Sequence, residues 1–425
     1  MVETKRTREL EIVLTSLLIQ MLMGVFLGHY FDQRVFMATG YVVGSGGDPY
    51  KPIELIRVFE NPLLNGFVPT IGYPPPWPLM LGLIYRVSYG AVQNIFVYNF
   101  ATKIPIIMAN IALAYLVRKI LLNLHSDKKK AEAAWLFLLF NPFVILTTAA
   151  WGQIDSFAAL LCVSSLYIVT KGRIKESAFL LAISIAVKPV ALALVPLPLL
   201  FSGRLISRKN LLFLVVFAAI FLLFVLIPFA VLGWSIPLSS NNFTNRFGMA
   251  GGLTVFSLAE IIQGSPIIPS SLWLLGFLWV PALFIGYYFF YRNPPCSTGD
   301  IVTKSIGLVL VFFLMRSWLS EPNLNLLLPF MLIAVGLGKM EKRVFHLFWI
   351  IPLVFMIINF AFPQLFFLIY PSVLDALAQF DLQFGITRLV ARFFVAVLWT
   401  LMGMAVAFKM LMGQRQNTER KQEYL

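Results

Sequence analysis

The sequence predicts an all-α, polytopic integral membrane protein, and three observations carry that prediction. Hydrophobic residues make up 59% of the 425 and charged residues only 12%, whereas soluble domains hold roughly 45–50% apolar residues. Several apolar runs reach the ~20 residues that a helix needs to cross a bilayer. The short alternating segments of an outer-membrane barrel are absent, so the spans are expected to be helices, which satisfy their own backbone polar groups.

The formal charge of +14 does not point to nucleic acid. Most of the Lys and Arg residues sit in short loops between apolar runs, as the positive-inside rule requires, and no nucleic-acid motif accompanies them. Cys162 lies inside an apolar run and Cys296 in a loop expected to be cytosolic, so no structural disulfide is expected. His125 and His346 also fall on the cytosolic side, and no His/Asp/Glu cluster has ligand spacing, so neither a metal nor a cofactor is expected. The start, "MVETKRTRELEIVLTSLLIQMLMGVFLGHYFD", lacks a small-residue cleavage site and reads as an uncleaved first span with a basic leader.

In order, spans are expected near 12–30, 98–118, 132–150, 156–170, 177–187, 190–202, 211–232, 271–291, 302–318, 323–338, 345–362 and 389–410, about twelve in all, with both termini cytosolic. Residues 177–187 and 190–202 are short enough to form a hairpin that thins the membrane locally. The chain is thus one membrane domain over 1–425. A first outer loop covers 31–97, a helical core 98–210, variable C-terminal helices 211–410 and a cytosolic tail 411–425. The stretch "YPPPWPLMLGLIYRVSY", 73–89, looks like a span, but counting it would put "RKILLNLHSDKKK" outside. Its prolines, Trp77, Arg86 and late tyrosines suit a juxtamembrane helix in the outer interface.

Ionisable groups at or inside a membrane are expensive and tend to mark function. Asp32, in "GHYFDQRVF", stands where the first span leaves the membrane. It is either a solvated helix-end carboxylate or a general base against a partly desolvated cleft. Arg34 is placed to orient it or to meet an anion, and His29 to pack at the interface. Asp48 is a second acid in the same loop. "WGQID" interrupts a long apolar run as a tight turn: Trp151 anchors at the interface, Gly152 permits the turn, and Gln153 and Asp155 face the first loop. The plainer reading is an ordinary polar turn.

Lys188, in "AISIAVKPVALALVP", either snorkels to an interface or presents a fixed cation to a lipid-linked phosphate where Pro189 breaks the helix. Arg316 and Glu321, in "LMRSWLSEPNLNLLLP", are either a structural pair or a phosphate-binding Arg balanced by Glu321. Asn323 and Asn325 add donors and acceptors suited to a sugar. The outer loop "GWSIPLSSNNFTNRFGMAGG" adds Arg246 and a sequon at Asn242. Asp375 and Asp381 are expected to solvate the last outer loop.

Together "YFDQRVF", "GGDPYKP", "YPPPWPLML", "WGQIDSFAALL", "AISIAVKPVALALVPLPLL" and "SEPNLNLLLP" resemble the GT-C superfamily of polytopic glycosyltransferases. Within it the chain is similar to polyprenyl- or dolichyl-phosphate-mannose-dependent mannosyltransferases, including relatives of the second mannosyltransferase of GPI-anchor synthesis. The resemblance runs in order from about 12 to 202 and thins afterwards. It implies a helical core whose first outer loop carries the catalytic acid, with a proline-rich helix lying along the membrane surface. It also implies a polyprenyl- or dolichyl-phosphate sugar donor, a glycolipid or lipid-linked acceptor, and metal-free transfer of a hexose with inversion. By position Asp32 matches the first-loop base, Asp155 the second-loop acid and Lys188 the lysine of the "KP" motif. The paired acids of some members are missing, since Gln33 follows Asp32, so Asp48 stays open as the base. The expected protein is a multi-pass hexosyltransferase in the plasma membrane of a prokaryote, or the ER membrane of a eukaryote, with its site on the outer or lumenal face. The rival reading is a transporter or flippase of a lipid-linked sugar, which needs the cations but no base.

Overall fold

A computed structural model describes residues 2–201, 207–236, 249–263 and 270–412. Helix α1, Val2–Phe26, ends before the expected boundary, because His29 takes extended backbone angles (φ −79°, ψ 125°) as the cap of a new helix. That helix, α2 (Tyr30–Gly44), carries Asp32 in its first turn and buries Val35 to Gly40. The first loop continues through a small antiparallel hairpin, β1 (Ile53–Leu55) with β2 (Gly66–Val68), pairing Ile53 with Val68.

Helix α3 (Pro76–Val87) has proline in its first turn, where a missing N–H is harmless. At 12 residues it rises only ~18 Å, short of the ~30 Å hydrocarbon core, so it does not span. It packs along α2 at Gly40, where an added Cβ would sit 2.8 Å from the Leu81 carbonyl. The buried residues Phe36, Trp77, Leu81 and Tyr98 form the core of this unit. A single turn, α4 (Tyr89–Val92), leads into α5 (Ile95–Asn123), whose N-terminus is capped by Asn94.

The expected span 132–150 is a composite. Helix α6 (Lys128–Phe140) stops at Asn141, whose side chain accepts from the Val144 N–H and caps α7 (Pro142–Ile145). A π-helical turn, Leu146–Ala150, follows. The "WGQI" turn then opens α8 (Asp155–Val169), which packs against α9 (Ile174–Val187). Lys188 ends α9 in an extended conformation, since a residue before proline is pushed out of the helical region. Pro189–Leu194 is a 3₁₀ turn that hands over to α10 (Pro196–Phe201).

The later helices are α11 (Arg208–Phe221), α12 (Ile227–Leu232), α13 (Leu258–Gln263), α14 (Trp279–Arg292), α15 (Thr298–Met315), α16 (Leu327–Gly336), α17 (Lys342–Ile358), α18 (Ala361–Gln364) and α19 (Val373–Met412). A two-residue parallel bridge joins β3 (Gly251–Gly252) to β4 (Trp318–Leu319), and a 3₁₀ turn, Glu321–Leu326, precedes α16. Among the described residues seven helices are long and apolar enough to cross a membrane. The expected spans at 156–170, 190–202 and 323–338 correspond to shorter apolar helices, and α9 has 14 residues. The expected last loop is helical instead: α19 runs unbroken for 40 residues through Asp375 and Asp381. Cys162 is buried and Cys296 exposed, both as free thiols.

Candidate active site

The turn between the π-helix and α8 brings its side chains against the start of α2. The Trp151 indole donates its Nε1–H to Oδ2 of Asp32 over 2.6 Å. His29 stacks on that indole, with centroids 4.0 Å apart and planes 8° from parallel, and its Nδ1 lies 3.4 Å from the same carboxylate oxygen. Burial pushes the His29 imidazole down to about 4 against the opposing pull of Asp32, so the ring is neutral at physiological pH. Asp32 is therefore held through one oxygen by neutral neighbours. Its side chain keeps 21% exposure, and among the described residues Oδ1 has no hydrogen-bond partner.

The second group is a closed network around Asp155. Lys188 Nζ donates to Asp155 Oδ2 at 2.6 Å and to Gln153 Oε1 at 3.1 Å. Asn323 donates to the other oxygen of Asp155 at 3.0 Å. The Tyr73 hydroxyl donates to Gln153 Oε1 at 2.8 Å, and its ring lies 5.3 Å from the Lys188 ammonium. Burial is the main force raising the Tyr73 phenol to about 12, against the Lys188 charge; Asp32 and Asp155 both add to the rise. Tyr73 therefore stays protonated and sits within the electrostatic reach of both acids.

The structure brings Gln153 and Asp155 of the turn together with Lys188, which the sequence reading keeps apart, and the same turn reaches Asp32 through Trp151. Gly152 makes that turn possible at φ +95°, where an added Cβ would also lie 3.1 Å from Gln33 Oε1. Trp151, expected as an interfacial anchor, is buried and hydrogen-bonded instead. Lys188 is buried and ion-paired rather than snorkelling.

Other expected residues are placed elsewhere. Arg34 donates to the Tyr30 hydroxyl and to the carbonyls of Asn65 and Phe67, anchoring the hairpin. Residues two apart on a helix do not face each other, which is why its contacts miss Asp32. Asp48 accepts the N–H groups of Tyr50 at 3.0 Å and of Ser235 at 2.7 Å, with Lys51 3.9 Å away. Both its oxygens are used to fold the loop. Glu321 is buried and accepts from Asn359 at 3.0 Å, while Arg316 lies over the Phe312 ring at 5.0 Å. The two form no ion pair; the β4 bridge, Trp318–Leu319, lies between them. No hydrogen-bond acceptor meets the Arg316 guanidinium among the described residues. Arg246 lies outside the described residues, as does the sequon at Asn242.

Tyr73 and Lys103 are functional candidates that sequence reasoning missed. Tyr73 was hidden in a proline run that reads as a surface helix. Lys103 is fully buried in α5 and bonded only to backbone carbonyls, a pattern that leaves no trace in sequence spacing. Among the described residues no three His, Cys, Asp or Glu side chains group as metal ligands would.

Residues 32–203 match the family model of the alpha-(1->6)-mannopyranosyltransferase N-terminal domain. The match supports a mannosyltransferase of the GT-C type. No curated protein matches the chain. The matched stretch opens on Asp32 and contains Asp48, Tyr73, Trp151, Gln153, Asp155 and Lys188, while His29 and Asn323 lie outside it. Arg246, Arg316 and Glu321 fall beyond it.

Proposed function

We propose that the protein moves mannose from a polyprenyl- or dolichyl-phosphate donor to a hydroxyl of a glycolipid or lipid-linked acceptor, on the outer or lumenal face of the membrane. The observation that carries this reading is the state of Asp32: one oxygen pinned by Trp151 and the other open. A general base needs both a fixed position and a free lone pair. Each oxygen of Asp48 already accepts a backbone N–H and serves to fold the loop, whereas Oδ1 of Asp32 accepts none among the described residues, and this favours Asp32 as the base.

The acceptor hydroxyl attacks the anomeric carbon while Asp32 Oδ1 takes its proton. The bond from that carbon to the donor phosphate oxygen breaks on the opposite face, so the sugar inverts. The lipid phosphate leaves with added negative charge, and fixed cations stabilise such charge without reorganising. Arg316 carries a guanidinium with no hydrogen-bond acceptor among the described residues for that role, and Lys188, held by Asp155, is a second cation for it. Arg246 is assigned to the same role from its sequence position. These cations supply the stabilisation that a metal would otherwise give, which supports metal-independent transfer.

The test uses purified protein in liposomes with radiolabelled polyprenyl-phosphate-mannose and a lipid extract from its own cells. Label moving to a new product in wild type, and lost in Asp32→Asn with donor binding intact, is the expected result. Donor crossing the bilayer with no label transferred would replace the enzyme with a flippase.

A further inference from the structure

Lys103 is a buried ammonium with no carboxylate in contact. An unpaired charge in an apolar interior is strongly disfavoured unless polar groups compensate it. Here the compensation is entirely carbonyl. Nζ donates to Leu27, to Gly24 at 3.3 Å and to Ala150 at 2.9 Å. The first two oxygens lie at the C-terminal end of α1, and the third closes the π-helical turn before Trp151. Both are helix ends, whose last carbonyls lack partners and carry partial negative charge. One ammonium therefore caps two helix ends at once and holds them together.

Neighbours on the same face of α5 complete the clamp. Asn99 Nδ2 donates to Gly24, Val25 and Leu27, each at 2.9 Å. Gln33, beside Asp32, donates to Thr102 at 3.2 Å. The Lys103 stem runs under the WGQI turn, with Cε 3.3 Å from where a Gly152 Cβ would stand. The two ends joined by Lys103 are the ones that carry His29 and Asp32 on one side and Trp151 on the other.

We infer that Lys103 is a positioning residue for the base: by tying the end of α1 to the Ala150 carbonyl it sets the Trp151–Asp32 hydrogen bond. This rests on the transferase reading. The ammonium meets no substrate; it acts through the indole. Neutralising it frees three carbonyls and lets the WGQI turn drift from α2, and a displacement of about 1 Å at a reacting group can remove about a hundredfold in rate.

The test compares Lys103→Met, Trp151→Phe and the double variant in the liposome assay. Each single variant should lower kcat by about ten- to a hundredfold with KM for the donor nearly unchanged, and the double should be no worse than Trp151→Phe alone. Losses that multiply would show that Lys103 does not act through Trp151 and would overturn the inference. Lys103→Gln, which keeps a donor for one carbonyl, should fall between wild type and Lys103→Met. If neither variant folds, Lys103 is a structural pillar only and the inference falls. A second readout does not need activity: with 5-fluorotryptophan incorporated, the Trp151 resonance, assigned by its loss in Trp151→Phe, should move in Lys103→Met. An unmoved resonance overturns the inference even if wild type transfers nothing, whereas an inactive wild type with a moved resonance overturns only the transferase reading.

Discussion

Trp151 and Asp32, 119 residues apart in sequence, meet in a 2.6 Å hydrogen bond from indole Nε1 to carboxylate Oδ2. That bond links the turn before α8 to the first turn of α2. It also explains why a carboxylate and an amide interrupt so apolar a run. The turn holds the Asp32 carboxylate with its first residue, and its last residues begin the Asp155–Lys188 network. Asp32 and the Asp155–Lys188 pair are thus tied to one short turn rather than to two independent loops.

Trp151→Phe keeps the ring and the His29 stack but removes the donor. A hydrogen bond to a charged group contributes about 1.5–3 kcal/mol, so kcat should fall roughly ten- to a hundredfold. The donor KM should hold, because the indole touches the base and not the phosphate site. A rise in KM at constant kcat would assign Trp151 to donor binding instead.

His29 gives a pH dependence whose sign is fixed. Its folded value, about 4, lies below the ordinary 6.5, so the unfolded chain takes up a proton first as pH falls. Its contribution is absent above 6.5, and stability declines from there to about pH 4, below which the loss is complete. The full loss corresponds to about 3 kcal/mol. Melting of His29→Gln and wild type in detergent between pH 7 and pH 4 should show the wild type dropping more steeply. Parallel curves would mean that the imidazole is not held neutral by burial.

Legibility followed locality. Asp155 and Lys188 could each be singled out because a turn acid and a lysine before proline are local signals, but their pairing, which needs α8 beside α9, was not read. The non-spanning 73–89 segment was legible from prolines and loop charge. Arg34 misled because helix phase, not sequence proximity, decides what a side chain faces. The Trp151–Asp32 bond and the Lys103 clamp depend on α1, α5 and the π-turn converging, which no periodicity encodes. The break at Lys188 was legible from the proline that follows it, whereas the one at Asn141 was not, since hydropathy registers the apolar run 132–150 and not the cap inside it.

The Asp155–Lys188 pair is buried on both sides, at 0% and 9% side-chain exposure. Removing one partner leaves an uncompensated charge, which typically costs about 3–5 kcal/mol. Asp155→Asn should therefore lower the melting temperature sharply as well as abolish transfer. Asp155→Asn combined with Lys188→Met should recover most of the stability and none of the activity. Recovery of both by the double variant would show that the pair is structural and has no part in holding the donor.

Arg316 is the opposite case. Its guanidinium rests on the Phe312 ring at 5.0 Å and meets no acceptor among the described residues, so the folded chain makes little use of its charge. Arg316→Ala should then leave the melting temperature nearly unchanged. If the guanidinium receives the donor phosphate, its loss removes a charge-assisted contact of about 1.5 kcal/mol or more, and the donor KM should rise about tenfold or more. Arg316→Lys keeps the charge without the two-pronged geometry that suits phosphate, and should sit between the two. A neutral Arg316→Ala in donor titrations would move the phosphate site to Lys188 and Arg246.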